Sequence, residues 1–175
     1  RVLCRSIEPD FDLLSEDISY SSLAVRLELP KSSGRLQLTS SGLPSLDFNI
    51  VDPWDLERLR EGVRIAISIT EQDEFAGMFE HRVAPNDDDI RSDAAMDDWV
   101  LKNLSVAQHT SGTCMMGPSS NPMSVVNQYG YVHGVKGLRI ADASIMPNIV
   151  RANPNVTTIM IGEKIADWIK DGIGK

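Results

Sequence analysis

Leu23-Ala-Val-Arg-Leu-Glu-Leu-Pro30 alternates apolar and charged residues from Val25 to Leu29. A period of two marks a half-buried strand. Lys31-Ser-Ser-Gly34 has the length and composition of a hairpin turn, and Arg35-Leu-Gln-Leu-Thr39 alternates again and predicts a second strand. Leu46-Asp-Phe-Asn-Ile50 predicts a third. Upstream, residues 1–22 are polar and irregular and read as an extended lead-in.

After the strands the period changes. Asp52 is placed to cap a helix, Pro53 suits its first position, and Asp55 adds negative charge to its first turn. Leu56, Leu59, Val63 and Ala66 keep one apolar face to about Thr70. Met96, Trp99, Val100 and Leu104 predict a second helix with Ser92 as its cap. Asp87-Asp88-Asp89 before it lacks the alternate spacing and glycine of a calcium loop and reads as a solvated loop. Leu138-Arg-Ile-Ala141 suggests a short strand. The last helix is expected from near Asn153-Pro154 to about Ile169, with Ile161, Ile165, Trp168 and Ile169 as its core stripe. Its first turns, Val156-Thr-Thr-Ile-Met-Ile161, are apolar on nearly every side, which predicts burial of that end. Strands in hairpin order followed by helices define an α+β fold, a mainly antiparallel sheet with packed helices.

At 175 residues and 42% hydrophobic, the chain suits one domain with a sizeable core. A net charge of −8 argues against nucleic acid as a partner, since phosphates need a positive footprint. No apolar run reaches the length of a membrane span. Cys4 and Cys114 are too few and too far apart for a disulfide framework and read as free thiols, which points to a cytoplasmic setting.

Two stretches carry chemistry. In His109-Thr-Ser-Gly-Thr-Cys-Met-Met-Gly117 a histidine leads into a small-residue loop that a ligand can approach closely. His109 fits three roles: a general base, a metal ligand or a structural loop histidine. His81 and His133 are not at ligand spacing from it, and no metal site is expected. Ser111 lacks the Gly-x-Ser-x-Gly elbow of a hydrolase nucleophile. The second stretch is Asp142-Ala-Ser-Ile-Met-Pro147 with Arg151-Ala-Asn-Pro-Asn-Val-Thr-Thr158. There Asn153 and Asn155 open a helix, as caps or as ligand-facing groups, and a helix start favours negative charge.

His-x-x-Gly-Thr-Cys-x-Met-Gly at 109–117 resembles the active-site motif of the glucose–methanol–choline oxidoreductases. Residues 125–147 and 153–167 resemble that family's next two blocks, in order. Leu29-Pro-Lys-Ser-Ser-Gly-Arg-Leu36 and Asp52-Pro-Trp-Asp-Leu-Glu-Arg58 are similar, more loosely, to the substrate domain of its bacterial members. The resemblance implies an FAD-dependent enzyme that oxidises a CH–OH group of a small-molecule alcohol, as an oxidase or a dehydrogenase. It implies His109 and Asn155 as the catalytic pair. Asp142 and Ala143 then contact the ribityl and phosphate region, and the N–H groups of Val156 and Thr157 face the flavin pyrimidine. Asn127 departs from the aspartate that many members carry after the paired valines.

Gly-x-Gly-x-x-Gly, the dinucleotide fingerprint, is absent. Residues 1–175 are therefore expected to be a single C-terminal, substrate-side domain without the Rossmann-like FAD-binding domain. That domain would be the partner, elsewhere in the same longer chain, and these residues alone would be inactive. The rival expectation is a non-catalytic binding or assembly module derived from the same fold.

Overall fold

The computed structural model describes residues 5–7, 22–48, 52–75, 77–106 and 108–174. They fall into two compact units. Cys4–Leu27 and Val51–Ala107 belong to one, and Glu28–Ile50 and Gln108–Lys175 to the other.

In the first of these, β1 (Arg5–Ile7) is the middle strand of a three-stranded antiparallel sheet. It is flanked by β2 (Val25–Leu27) and β5 (Leu104–Val106), with Ser6 opposite both Arg26 and Ser105. Helix α1 (Pro53–Thr70) starts as its sequence requires: the Asp52 carboxylate accepts from the Trp54 N–H at 2.8 Å, and Pro53 fills the first turn. Its face Leu59 and Val63 packs with Leu27, and with Met96 and Val100 of α3 (Asp93–Asn103, capped by Ser92). Gly62 lets α1 approach the sheet, since a Cβ there would stand 2.5 Å from Val25 Cγ1. Arg60 ties α1 to α3 by two bonds to Asp97, at 2.8 and 2.7 Å.

The other unit holds a hairpin of β3 (Arg35–Leu38) and β4 (Pro44–Asp47), a run of turns and bridges from 108 to 154, and helix α4 (Asn155–Lys170). Hairpin partners sort by face: Leu36 lies opposite Leu46 and Leu38 opposite Pro44, while Arg35 lies opposite Asp47 and Gln37 opposite Ser45. The core of this unit is Val126, Ile145 and Ile165, bordered by Met116, Val132, Ile140, Ile161 and Trp168. Gly130, at φ 78, closes the turn over it, because a Cβ there would meet the Ile140 carbonyl at 2.7 Å.

The α+β architecture holds, with several local corrections. The expected hairpin across Lys31–Gly34 does not form. Leu29 takes a φ of 58 and Pro30 offers no N–H, so β2 ends at Leu27 and pairs with β1. The true hairpin turns at Thr39–Leu43, where Gly42 supplies a positive φ. Its second strand begins at Pro44, ahead of the expected 46–50, of which 49 and 50 lie outside the described residues. Within the polar lead-in, Arg5–Ile7 is strand, and the rest of that reading, with Cys4, also lies outside the described residues except Ser22. Leu104 belongs to β5 rather than to the preceding helix. Asp87–Ile90 is not loop but one helical turn, α2, because Asn86 and Asp89 form a reciprocal capping box. Leu138–Ala141 contributes a single bridge, Arg139 to Tyr131, in place of a strand. In α4 the stripe at Ile161, Ile165 and Trp168 is packed, but Ile169 is exposed. So is the apolar first half: Val156 is 76% exposed, Ile159 57% and Met160 53%. Among the described residues nothing packs over that face.

Candidate active site

The segment from His109 to Gly117 lies along the one-turn 3-10 helix Ala143–Ile145. Alternate N–H groups of Gly112, Cys114 and Met116 donate to the carbonyls of Ala143, Ser144 and Ile145, at 3.2, 2.9 and 2.8 Å. On the other side Val125 donates to the Met115 carbonyl and Gly117 to that of Val126. A positive φ of 77 makes glycine the fitting residue at 112. Small side chains let the two backbones lie this close, which is the local reason for the Gly/Ser/Thr composition.

At the head of this segment the His109 ring is buried, and its Nε2 lies 3.2 Å from Asn153 Nδ2. Asn153 Oδ1 accepts the backbone N–H of Asn155 at 2.9 Å. That bond fixes which way the amide faces, since a backbone N–H must meet oxygen. The NH₂ group therefore faces His109, and Nε2 is the acceptor. The imidazole proton then sits on Nδ1, which is buried without a partner among the described residues, as is Ser111 Oγ.

Asp142 caps the 3-10 turn by accepting from the Ser144 N–H at 2.7 Å, and the Ala143 carbonyl takes the Gly112 N–H. Both expected residues thus border the His109 segment. Val156 and Thr157 sit in the first turn of α4, whose N–H groups have no residue one turn back to accept them. No side chain caps Pro154 ahead of them. Asn155 is exposed and meets Asn153 through its backbone; the side chain that reaches His109 is that of Asn153. The sequence placed both asparagines at this helix start, and the Asn-Pro-Asn spelling alone does not say which one turns back. Asn127 accepts the N–H groups of Tyr129 and Tyr131 through Oδ1, a task that an aspartate would perform equally. Among the described residues no helix is long and apolar enough to cross a membrane, and no cluster of three or more metal-binding side chains occurs.

A backbone-stitched small-residue loop thus sets a buried histidine, bonded to Asn153, beside the start of α4. The family described as GMC oxidoreductase matches residues 30–162, and this chain belongs to that glucose–methanol–choline family. It is 42% identical over 146 residues to oxygen-dependent choline dehydrogenase 1 of Chromohalobacter salexigens, covering 79% of this chain and 25% of that protein. To the oxygen-dependent choline dehydrogenase of Cronobacter sakazakii it is 43% identical over 131 residues, covering 73% and 22%. Among solved structures it resembles pyridoxine 4-oxidase from Mesorbium loti, with TM-score 0.74, 27% identity, and 82% and 28% of the two chains covered. It also resembles formate oxidase of Aspergillus oryzae RIB40, a structure concerned with FAD modification, with TM-score 0.76, 30% identity, and 86% and 27% covered. The chain spans about a quarter of the length of the curated relatives it matches.

Proposed function

We propose that residues 1–175 are the substrate-side domain of an FAD-dependent oxidoreductase that oxidises an alcohol to a carbonyl compound, with the FAD-binding domain elsewhere in the same chain. The observation that carries this reading is the oriented pair at His109 and Asn153, whose Nε2 and Nδ2 stand 3.2 Å apart. For oxidation the Asn153 amide gives up the His109 Nε2 lone pair to an entering alcohol: the hydroxyl passes its proton to Nε2 and its oxygen accepts from the same amide, which steadies negative charge as it develops.

The residues fit a flavin edge. The first-turn N–H groups of Val156 and Thr157 favour negative charge, Val156 and Ile159 offer exposed apolar surface, and Asp142 and Ala143 border the same segment. When bound, FAD supplies the hydride acceptor. Asn155, one residue into the helix, stands as the second asparagine of this site, supporting Asn153 through its backbone N–H. Choline is the first alcohol to test, because the curated relatives are named for it. A cytoplasmic location is in keeping with Cys114, which forms no disulfide among the described residues.

The full-length protein tests this. It is expected to be yellow and to be reduced anaerobically by an alcohol from a panel headed by choline, with oxygen and a dye as rival acceptors. His109→Ala should keep its FAD and lose about 10²–10⁴ in the rate of flavin reduction. A colourless protein, or wild-type reduction by His109→Ala, defeats the reading.

A further inference from the structure

Among the described residues two side chains from outside the segment His109–Gly117 hydrogen-bond to it. Asn153 holds its start, and His133 holds its end: His133 Nε2 lies 3.0 Å from the Gly117 carbonyl, across 16 residues of sequence. A carbonyl carries no proton, so the ring nitrogen donates, which places the imidazole proton of His133 on Nε2.

His133 is itself anchored. Its backbone N–H meets the Val125 carbonyl at 2.9 Å, and the Val125 N–H meets the Met115 carbonyl at 2.8 Å. Residues 115–117 are therefore gripped through Val125 and through the His133 ring. Gly117 has no slack on its other side, since a Cβ there would stand 2.2 Å from Ser124 Oγ, a buried hydroxyl. The backbone ladder that aligns the segment with Ala143–Ile145 makes its last bond at Met116, one residue before the tethered carbonyl. Without a donor at His133 the Gly117 carbonyl loses its partner, and Gly117 is then held by its N–H bond to the Val126 carbonyl at 2.9 Å. The alternate bonds of Gly112, Cys114 and Met116 connect that end of the segment to its start at His109.

We infer that His133 is a positioning residue for alcohol oxidation: its Nε2–H pins the Gly117 carbonyl and thereby fixes the register of the segment that carries His109. The inference rests on the reading of His109 as the base.

The test uses the full-length, FAD-loaded protein and the limiting rate of anaerobic flavin reduction at saturating alcohol. His133→Leu removes the donor and should slow reduction about tenfold, short of the roughly 10²-fold that a 1 Å misplacement of a reacting group costs. Apparent substrate affinity should stay within about twofold, since His133 does not bind the alcohol. His133→Gln carries an amide N–H as far from the backbone as Nε2 and should recover wild-type rate within about twofold, whereas the shorter His133→Asn should not. Wild-type rate in His133→Leu overturns the inference, and so does a Gln variant as slow as Leu, which would make ring volume rather than the donor responsible. Should His133→Leu fail to retain FAD, Gln and Asn decide: equal rates in those two overturn it. His109→Ala runs in parallel. A normal rate there defeats the base reading and this inference with it, while a slow His109→Ala beside a normal His133→Leu defeats this inference alone.

Discussion

Helices α1 and α3 hold to each other through side chains, while the segment His109–Gly117 is held mainly through its backbone. Between the helices, Leu59, Val63, Met96 and Val100 exclude water, and Arg60 bridges to Asp97 at the margin. Along the segment, N–H and carbonyl groups do the holding, and the side chains of His109 and Ser111 are left with buried polar atoms that no described residue satisfies. The first arrangement buries mainly apolar side chains, with Arg60 Nε as its buried polar atom without a partner among the described residues, and is suited to stability. The second leaves polar atoms in a dry place, which costs about 1–3 kcal/mol each unless something binds there. Such atoms call for a partner, whether an ordered water or a ligand.

The sharpest way to break this contrast is in the apolar core. Leu59 is 2% exposed and touches both the sheet and α3. Leu59→Ala should lower the unfolding free energy by about 2–5 kcal/mol, through lost transfer energy and the cavity left behind. Urea denaturation of the 175-residue chain measures it. A loss below about 1 kcal/mol would mean that this helix pair is not the packed core described.

A somewhat smaller effect sharpens the other side. On the proposed function, Asn153→Ala in the full-length protein removes one hydrogen bond to a charged oxygen, worth roughly 1.5–3 kcal/mol, or about 10- to 100-fold in flavin reduction. Asn155→Ala keeps the backbone N–H that orients Asn153 and should stay within about threefold of wild type. Stopped-flow reduction of the two variants under argon compares them directly. The opposite ranking would return the catalytic amide to Asn155, the position that the family resemblance implies.

The choice between the two asparagines shows where sequence reading succeeds and where it stops. The faces of α1 and α3 were legible because burial there repeats every turn, and the caps Asp52 and Ser92 announce themselves by residue type and place. His109 and its loop were legible as a motif. Which asparagine meets His109 was not, because a two-residue difference at a helix entry depends on the path of Arg151–Pro154 and not on composition. β1 and β5 escaped notice for another reason. Each has three residues, too short for a period of two to stand out, and their pairing joins chain segments about a hundred residues apart. The hairpin was misplaced by two residues with specific backbone needs, Leu29 and Pro30, whose effect outweighs the alternation on either side.

The smallest predicted effect concerns α4, where the same contrast runs along one helix. Its later turns bury Ile165, 2% exposed, against Val126 and Ile145, while Val156 in the first turn is 76% exposed. Val156–Ile161 carries no charge while Glu163–Lys170 carries four, so composition predicts deeper burial at the start of the helix, and the structure has the reverse. Val156→Ser should therefore change the stability of the 175-residue chain by no more than about 0.5 kcal/mol, the usual range for a surface position. Serine also suits the start of a helix, where its hydroxyl can serve an unpaired N–H. Ile165→Ser, the same kind of change two turns and more along, should cost several-fold more, because it leaves both a void and a buried hydroxyl. Urea midpoints of the two variants, at equal denaturant sensitivity, give the comparison. A loss above about 1 kcal/mol in Val156→Ser would show that the first turn is packed within this chain, and the exposed apolar surface proposed to meet the flavin would then be part of the chain's own core.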